Sequence, residues 1–284
     1  MTFVAEYLPA IMFLTLALLL FTGFPVAFIL GGISLVFGFI GHELDVFNLV
    51  EFYNITARIW GSVAEKPILV AIPMFIFMGT MLEKSGVATE LLECLQVLLR
   101  RVPGGLAISV TVMGTVMAAT TGIVGASVIM MSLLALPVML DRGYDKRLAT
   151  ATIASSGTLG ILIPPSIMLV ILANMLAVSV GTLFIAALLP GLMLAGLYVL
   201  FILVLCWFKP ELAPSIGSDE GPRGAVNLTV MVIKSFLPPV FLMFIVLGSI
   251  FLGWATPTEA SGVGAFGAVL LAAMKGKLTW ATMR

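Results

Sequence analysis

Charge is scarce in this sequence. Only 10% of its 284 residues are Asp, Glu, Lys or Arg, while 61% are hydrophobic. Soluble domains carry roughly 25% charged residues, so an ordinary water-soluble fold is excluded. Histidine occurs once, at His42 where an apolar run ends, and a lone loop histidine builds no metal centre. Cysteine occurs twice, as Cys94 and Cys206. Two such residues form neither a disulfide framework nor a zinc pattern, and both are expected to pack. The chain has no GxxxxGK[ST] loop, no HExxH, no GxSxG and no arginine-rich helix. Nucleotide hydrolysis, zinc proteolysis, serine hydrolysis and voltage sensing lose their residues with them, so no enzyme and no cofactor is expected. A basic leader is missing too: Glu6 precedes the first apolar run, and the chain from Leu8 on reads as mature membrane protein.

Apolar sequence is what the chain has in abundance. Its mean hydropathy is +1.21, and apolar runs fall at 8–22, 25–40, 67–83, 104–119, 126–140, 148–163, 166–180, 183–208, 236–253 and 258–274. The expected fold is an all-α polytopic membrane protein, because lipid leaves a spanning backbone no hydrogen-bond partner but itself. Several runs are shorter than the roughly 20 residues a crossing needs. The pair 104–119 and 126–140 reads as a re-entrant hairpin with its tip at Thr120–Ser127. The pair 148–163 and 166–180 reads as one crossing helix broken in the middle. Glu43–Glu65, with Val46, Leu49, Val50, Phe52 and Ile55 spaced along it, is expected as an interfacial helix. Val87–Arg101 is expected to behave similarly, after a helix that Gly86 stops. Lys209–Arg223 is the one stretch with linker composition.

Basic residues then orient the chain. With the N-terminus outside and 104–140 entering and leaving on one side, Lys84, Arg100, Arg101, Arg142, Lys146, Arg147, Lys209, Arg223, Lys234, Lys275, Lys277 and Arg284 are cytoplasmic. Only Arg58 and Lys66 lie outside, the asymmetry the positive-inside rule requires. An internal repeat is also visible. Leu8-Pro9 opens a run ending at Gly23-Phe24-Pro25, and Leu237-Pro238 opens one ending at Gly253-Trp254-Ala255-Thr256-Pro257. The two copies run in opposite directions, as inverted repeats of transporters do, and the second is expected to be incomplete.

Two stretches carry the candidate chemistry. At the hairpin tip, Thr120, Thr121 and Ser127 offer hydroxyls, while Gly122 and Gly125 allow close backbone approach. These are either ligands for an alkali cation and a carboxylate or small residues that let helices pack closely. The second stretch is SSGTLGILIPPS. Ser155, Ser156 and Thr158 supply hydroxyls, Gly157 and Gly160 weaken helical order, and Pro164 and Pro165 withdraw two amide donors near Gly160 and Ile163. Glu259 is read as part of a capping box with Thr256, and Asp145 as a helix cap. Asn174 is either an interhelical hydrogen bond or a site residue.

The string GIVGASVIMMSLLALPVMLDRGYDKRLATATIASSGTLGILIPPSI resembles the large, DctM-type membrane subunit of tripartite ATP-independent periplasmic (TRAP) transporters, and GWATPTEASGVGAFGA resembles the opening of that family's second repeat. The resemblance implies an elevator transporter of the bacterial inner membrane. It would be driven by sodium, import an organic acid delivered by a periplasmic binding protein, and be completed by a small four-helix membrane subunit. It implies scaffold and arm helices at 1–102 and half of a transport domain at 103–180, with hairpin 103–141 and broken helix 146–180. A closing helix at 181–208, a cytoplasmic linker at 209–234 and the opening of the second repeat at 235–284 follow. It assigns Thr121, Gly122, Gly125, Ser127, Ser156, Gly157, Thr158, Gly160, Ile163 and Pro165 to the ion and substrate surface, with Thr121, Gly122, Gly160, Ile163 and Pro165 as sodium ligands. Many members carry a serine-rich tip where this chain has TTGIVGAS, and members contain a whole second repeat. The alternative expectation is therefore a truncated, non-transporting membrane scaffold or remnant. A channel would need a polar stripe along a complete helix.

Overall fold

A computed structural model of the chain describes residues 2–121, 124–214 and 229–279. All regular structure among these residues is helical, and six helical segments are long and apolar enough to cross a membrane. The protein is thus an all-α, multi-pass membrane protein. It divides into two compact units, Met1–Lys66 and Pro67–Arg284.

In the first unit α1 (Thr2–Leu20) and α2 (Val26–Glu43) are joined through Gly23, whose φ of +81° suits glycine, and Pro25. The expected interfacial helix over 43–65 forms in pieces. A 3-10 turn at Leu49–Phe52 leads into α3 (Tyr53–Ile59) and a π turn at Trp60–Ala64. Asn48 starts the first piece by accepting from Val50 N at 3.0 Å. Phe52 folds its ring onto Gly38, where a Cβ would lie 2.5 Å from Cζ. These two local anchors set the segment's course in place of one continuous amphipathic helix.

The second unit opens with a 3-10 turn at Pro67–Val70 and α4 (Ala71–Lys84), then α5 (Val87–Leu99). Gly86 takes φ +75° between them, as the stop signal predicts. Next come α6 (Gly105–Thr121), α7 (Val124–Asp141), α8 (Lys146–Leu162), α9 (Ile167–Leu176) and α10 (Val180–Phe208). A 3-10 turn at Pro210–Leu212 follows α10. Residues 215–228 of the expected 209–234 linker lie outside the described residues. A π turn at Val232–Phe236 then leads into α11 (Leu237–Phe251) and α12 (Pro257–Met274). The capping box is present: Thr256 N donates to Glu259 Oε2 at 2.8 Å, and Glu259 N donates to Thr256 Oγ1 at 3.3 Å. Glu259 is therefore structural, and both cysteines are buried free thiols, as packing predicts.

The core of this unit is α8 laid into the groove between α6 and α7, with α4 and α12 forming a second extensive pair. One loop fixes the base of the hairpin. Tyr144 is buried, and its hydroxyl accepts from Leu106 N at 3.2 Å in the first turn of α6. Burial pushes the phenol's pKa up, so the group stays neutral at physiological pH. Asp145 N donates to Leu212 O at 3.0 Å, while its carboxylate caps α8 by accepting from Arg147 N and Leu148 N at 2.9 and 3.2 Å. Replacing Tyr144 with phenylalanine leaves a buried amide without its acceptor. A loss of about 1–3 kcal/mol of stability is expected, read as a lower thermal midpoint in detergent.

Candidate functional site: the hairpin tip and the helix break

Two close approaches set the level of the hairpin against α8. A Cβ on Gly114 of α6 would lie 2.6 Å from Ser156 Cβ, and a Cβ on Gly157 would lie 2.2 Å from Val128 Cγ2 on α7. Helices rise about 1.5 Å per residue. Seven residues on from both Gly114 and Ser156, the end of α6 at Thr121 comes level with Ile163. Four residues back from Val128, the start of α7 at Val124 comes level with Ile161, four residues on from Gly157. Both arms therefore stop beside the end of α8. That point lies 17 residues into the 31-residue apolar span Lys146–Leu176, so the hairpin reaches only about halfway along it.

The break is narrower than the sequence implies. α8 stays helical through Gly157 and Gly160 and ends at Leu162. Those glycines do not disrupt the helix. Gly157 instead admits α7 at a distance no side chain allows, which corrects the expectation that it loosens the backbone. The interruption is confined to Ile163–Ser166, where Ile163 turns extended (φ −90°, ψ 122°) and Ser166 likewise (φ −108°, ψ 129°). The last bond of α8 runs from Ile163 N to Leu159 O at 2.9 Å. Four residues beyond Gly160 and Ile161 stand Pro164 and Pro165, which have no amide hydrogen, so those two carbonyls have no α-helical donor. α10 closes on the break through Gly191, where a Cβ would meet Ile163 Cγ1 at 2.9 Å and Leu162 O at 3.3 Å.

The other candidate residues are spread along this axis. Gly160, Ile163 and Pro165 are buried at the break. Thr120 and Thr121 end α6, their side chains outside the described residues, and Gly122 lies outside them altogether. Gly125 is exposed in the first turn of α7 with open space where a Cβ would sit, and Ser127, two residues on, is buried. Ser156 lies about 10 Å below the break, seven residues away, with Ser155 and Gly157 beside it. Thr158 is on an exposed side of α8. Ser155 and Thr158 donate their hydroxyl hydrogens to the carbonyls of Thr152 (3.1 Å) and Ser155 (2.7 Å), and Ser156 donates to Thr152 O. Hydroxyls held in this way keep lone pairs to offer a cation. Asn174 is half-buried in α9.

One residue escapes sequence reasoning. Ser166 at the N-cap of α9 is fully buried, makes no capping hydrogen bond, and among the described residues its Oγ is the buried side-chain oxygen with no partner. A buried unsatisfied hydroxyl costs about 1–3 kcal/mol and calls for an explanation. Its serine-after-proline position was visible in sequence; its isolation was not.

No Asp, Glu, Lys or Arg occurs in 102–140 or 148–208, so the site is electrically neutral. Its fixed charges are partial. The C-termini of α6 and α8 present carbonyl ends, while α7 and α9 begin there with their amide ends. Such a set suits a monovalent cation beside a carboxylate and lacks the carboxylates a divalent ion needs. An apolar cavity of about 350 Å³ adjoins the break, lined by residues including Val116, Ile163, Pro164, Leu192, Met243 and Phe251. It offers an acidic solute no partner, since its one hydroxyl, Thr115 Oγ1, donates to Thr111 O at 2.8 Å.

Comparison with known proteins agrees with this architecture. A family profile described as "Tripartite ATP-independent periplasmic transporter, DctM component" matches residues 13–284. The C4-dicarboxylate TRAP transporter large permease protein DctM of Vibrio cholerae is 31% identical over 258 residues, covering 90% of this chain and 54% of that protein. Its counterpart in Rhodobacter capsulatus is 30% identical over 269 residues, covering 90% and 58%. The ectoine TRAP transporter large permease protein TeaC of Halomonas elongata is 27% identical over 261 residues, covering 92% and 58%. The chain thus spans a little over half the length of these relatives. With a profile match across nearly all its residues, a hairpin ending beside a broken helix and six candidate spans, the chain belongs to the DctM family of TRAP transporter large permease subunits.

Proposed function

We propose that this chain forms part of the large membrane subunit of a sodium-coupled importer of small organic acids. The observation that carries the proposal is the levelling of the hairpin ends with the Ile163–Ser166 break. It gathers carbonyls lacking helical donors, the Ser166 hydroxyl and two helix N-termini in one uncharged place. Sodium would be held by Thr121, Gly122, Gly160, Ile163 and Pro165, largely through carbonyl oxygens, with Ser166 Oγ as a further ligand. The solute's anionic group would lie alongside, near Gly125 and Ser127. Relatives are named for C4-dicarboxylate, isethionate and ectoine; each carries a carboxylate or sulfonate, which supports an acid as the cargo. Residues 103–180 would move in an elevator manner against the remainder. A small four-helix membrane subunit and a periplasmic binding protein would complete the system in the bacterial inner membrane.

The test is a thermal-shift titration of the purified chain with sodium chloride against choline chloride. Sodium is expected to raise the midpoint saturably and choline to leave it unchanged. Equal responses would reject the coupling and favour the scaffold alternative. Ser166→Ala is expected to raise the midpoint without sodium, because the unsatisfied hydroxyl is gone, and to weaken the sodium response. A variant with lower sodium-free stability and an intact sodium response would remove Ser166 from the site. Uptake in proteoliposomes is expected only with the complete subunit, the small subunit and the binding protein together.

A further inference from the structure

Outside the break, the strongest feature of the second unit is the concentration of its charge at one end. From Arg100 to Pro214 there are six basic residues, Arg100, Arg101, Arg142, Lys146, Arg147 and Lys209, against three acidic ones, Asp141, Asp145 and Glu211. They come from three separate stretches that the fold brings together. The Tyr144 hydroxyl meets the first turn of α6, directly after Arg100–Arg101. Asp145 N bonds Leu212 O, just beyond Lys209. Gly104 packs against Cys206 near the end of α10, where a Cβ would lie 2.7 Å from Sγ. Asp145 spends its carboxylate on capping α8, so the local balance is more basic than the count. Arg101, Lys146, Arg147 and Lys209 are exposed, and Arg100 and Arg142 half-buried.

A second observation fixes the depth of this collar. Trp207 and Phe208, immediately before Lys209, are 80% and 81% exposed. Exposed aromatics at the end of a spanning helix belong at the headgroup level of a bilayer. The charge is therefore held where lipid phosphates lie, around a base made of the ends of α6, α7, α8 and α10 and the turn at Pro210–Leu212.

We propose that this collar is a binding site for the phosphodiester headgroup of an anionic phospholipid of the cytoplasmic leaflet. The positive-inside rule accounts for the sign of these loops; it does not bring three of them around one buried tyrosine. Arginine at 101 and 147 suits two-pronged contact with phosphate, while lysines at 146 and 209 add point charge. The site is distinct from the uncharged break, and its test does not depend on sodium.

The experiment is native mass spectrometry of the full chain released from nanodiscs of phosphatidylcholine with phosphatidylglycerol, paired with thermal unfolding in nanodiscs with and without the anionic lipid. The wild type is expected to retain phosphatidylglycerol saturably and to unfold higher in its presence. Each basic residue at an anionic surface is worth about a fivefold factor, so Arg101→Gln/Lys146→Gln/Arg147→Gln should weaken retention by about a hundredfold. The charge-conserving Arg101→Lys/Arg147→Lys should keep most of it. Arg58→Gln/Lys66→Gln, on the two basic residues the charge map assigns to the opposite face, should change nothing. Equal retention by the triple variant, or equal loss in the control, would overturn the proposal. So would millimolar inorganic phosphate reproducing the stabilisation in phosphatidylcholine alone, which would make the site one for a free oxyanion.

Discussion

Gly157→Ala is expected to be among the most damaging single-methyl additions in this protein. The new Cβ would sit 2.2 Å from Val128 Cγ2 and 3.3 Å from Val128 Cα. Val128 is β-branched and stiff in a helix, so it has no rotamer into which to retreat, and α7 itself must move. Overpacking of this kind costs about 1–3 kcal/mol. The gain in helix propensity on replacing glycine, about 0.5–1 kcal/mol, opposes it and loses. A fall of several degrees in the thermal midpoint should result. Adding Val128→Ala should restore most of it, because the clash is with that side chain. Gly196→Ala on α10, where a Cβ meets nothing within 4 Å, is the control and should be neutral or stabilising. If Gly157→Ala and Gly196→Ala behave alike, the close seat of the hairpin on α8 is wrong.

The second large effect should come from healing the break. Pro164→Ala/Pro165→Ala returns two amide donors to a segment flanked by good helix on both sides, and each proline inside a helix costs about 3 kcal/mol. α8 and α9 should then join into one continuous helix across Ile163–Ser166, visible as added helical ellipticity. The carbonyls of Gly160 and Ile161 would be consumed by the helix, and the sodium-dependent thermal shift should vanish. The expected signature is thus a protein that is as stable or more stable, yet unresponsive to sodium. A full sodium response from this variant would show that the broken backbone is not what holds the ion.

Much of the architecture was legible because its causes are local. Asp145 and Thr256-Pro257-Thr258-Glu259 cap their helices within four residues of themselves, so sequence spacing is sufficient. The paired prolines mark the break for the same reason. What escaped was set by partners far along the chain. Glycine has poor helix propensity in isolation, yet Gly157 is a seat for Val128, 29 residues earlier, and that pairing exists only once the hairpin has folded. The segment after α2 divides because Phe52 finds Gly38. Ser166 stands out only through the absence of a hydrogen-bonding neighbour, which is a property of its surroundings and not of the residue. At the candidate site the residue types were recognisable, but their vertical order was not: sequence grouped Ser155 with Pro165, and the helix separates them by ten residues.

The side-by-side run of α6 and α8 from a shared base makes the pair a ruler. Tyr144 pins one end, and the tip and break are reached after fixed numbers of residues along each helix. Deleting one residue from α6 between Leu106 and Gly114 would draw its tip back by about 1.5 Å and turn it by roughly a quarter-circle relative to the break. No substitution elsewhere undoes such a change; only matching deletions in α7, between Val128 and Asp141, and in α8, between Leu148 and Ser156, do. Natural and engineered length changes in these three helices are therefore expected to occur together or not at all.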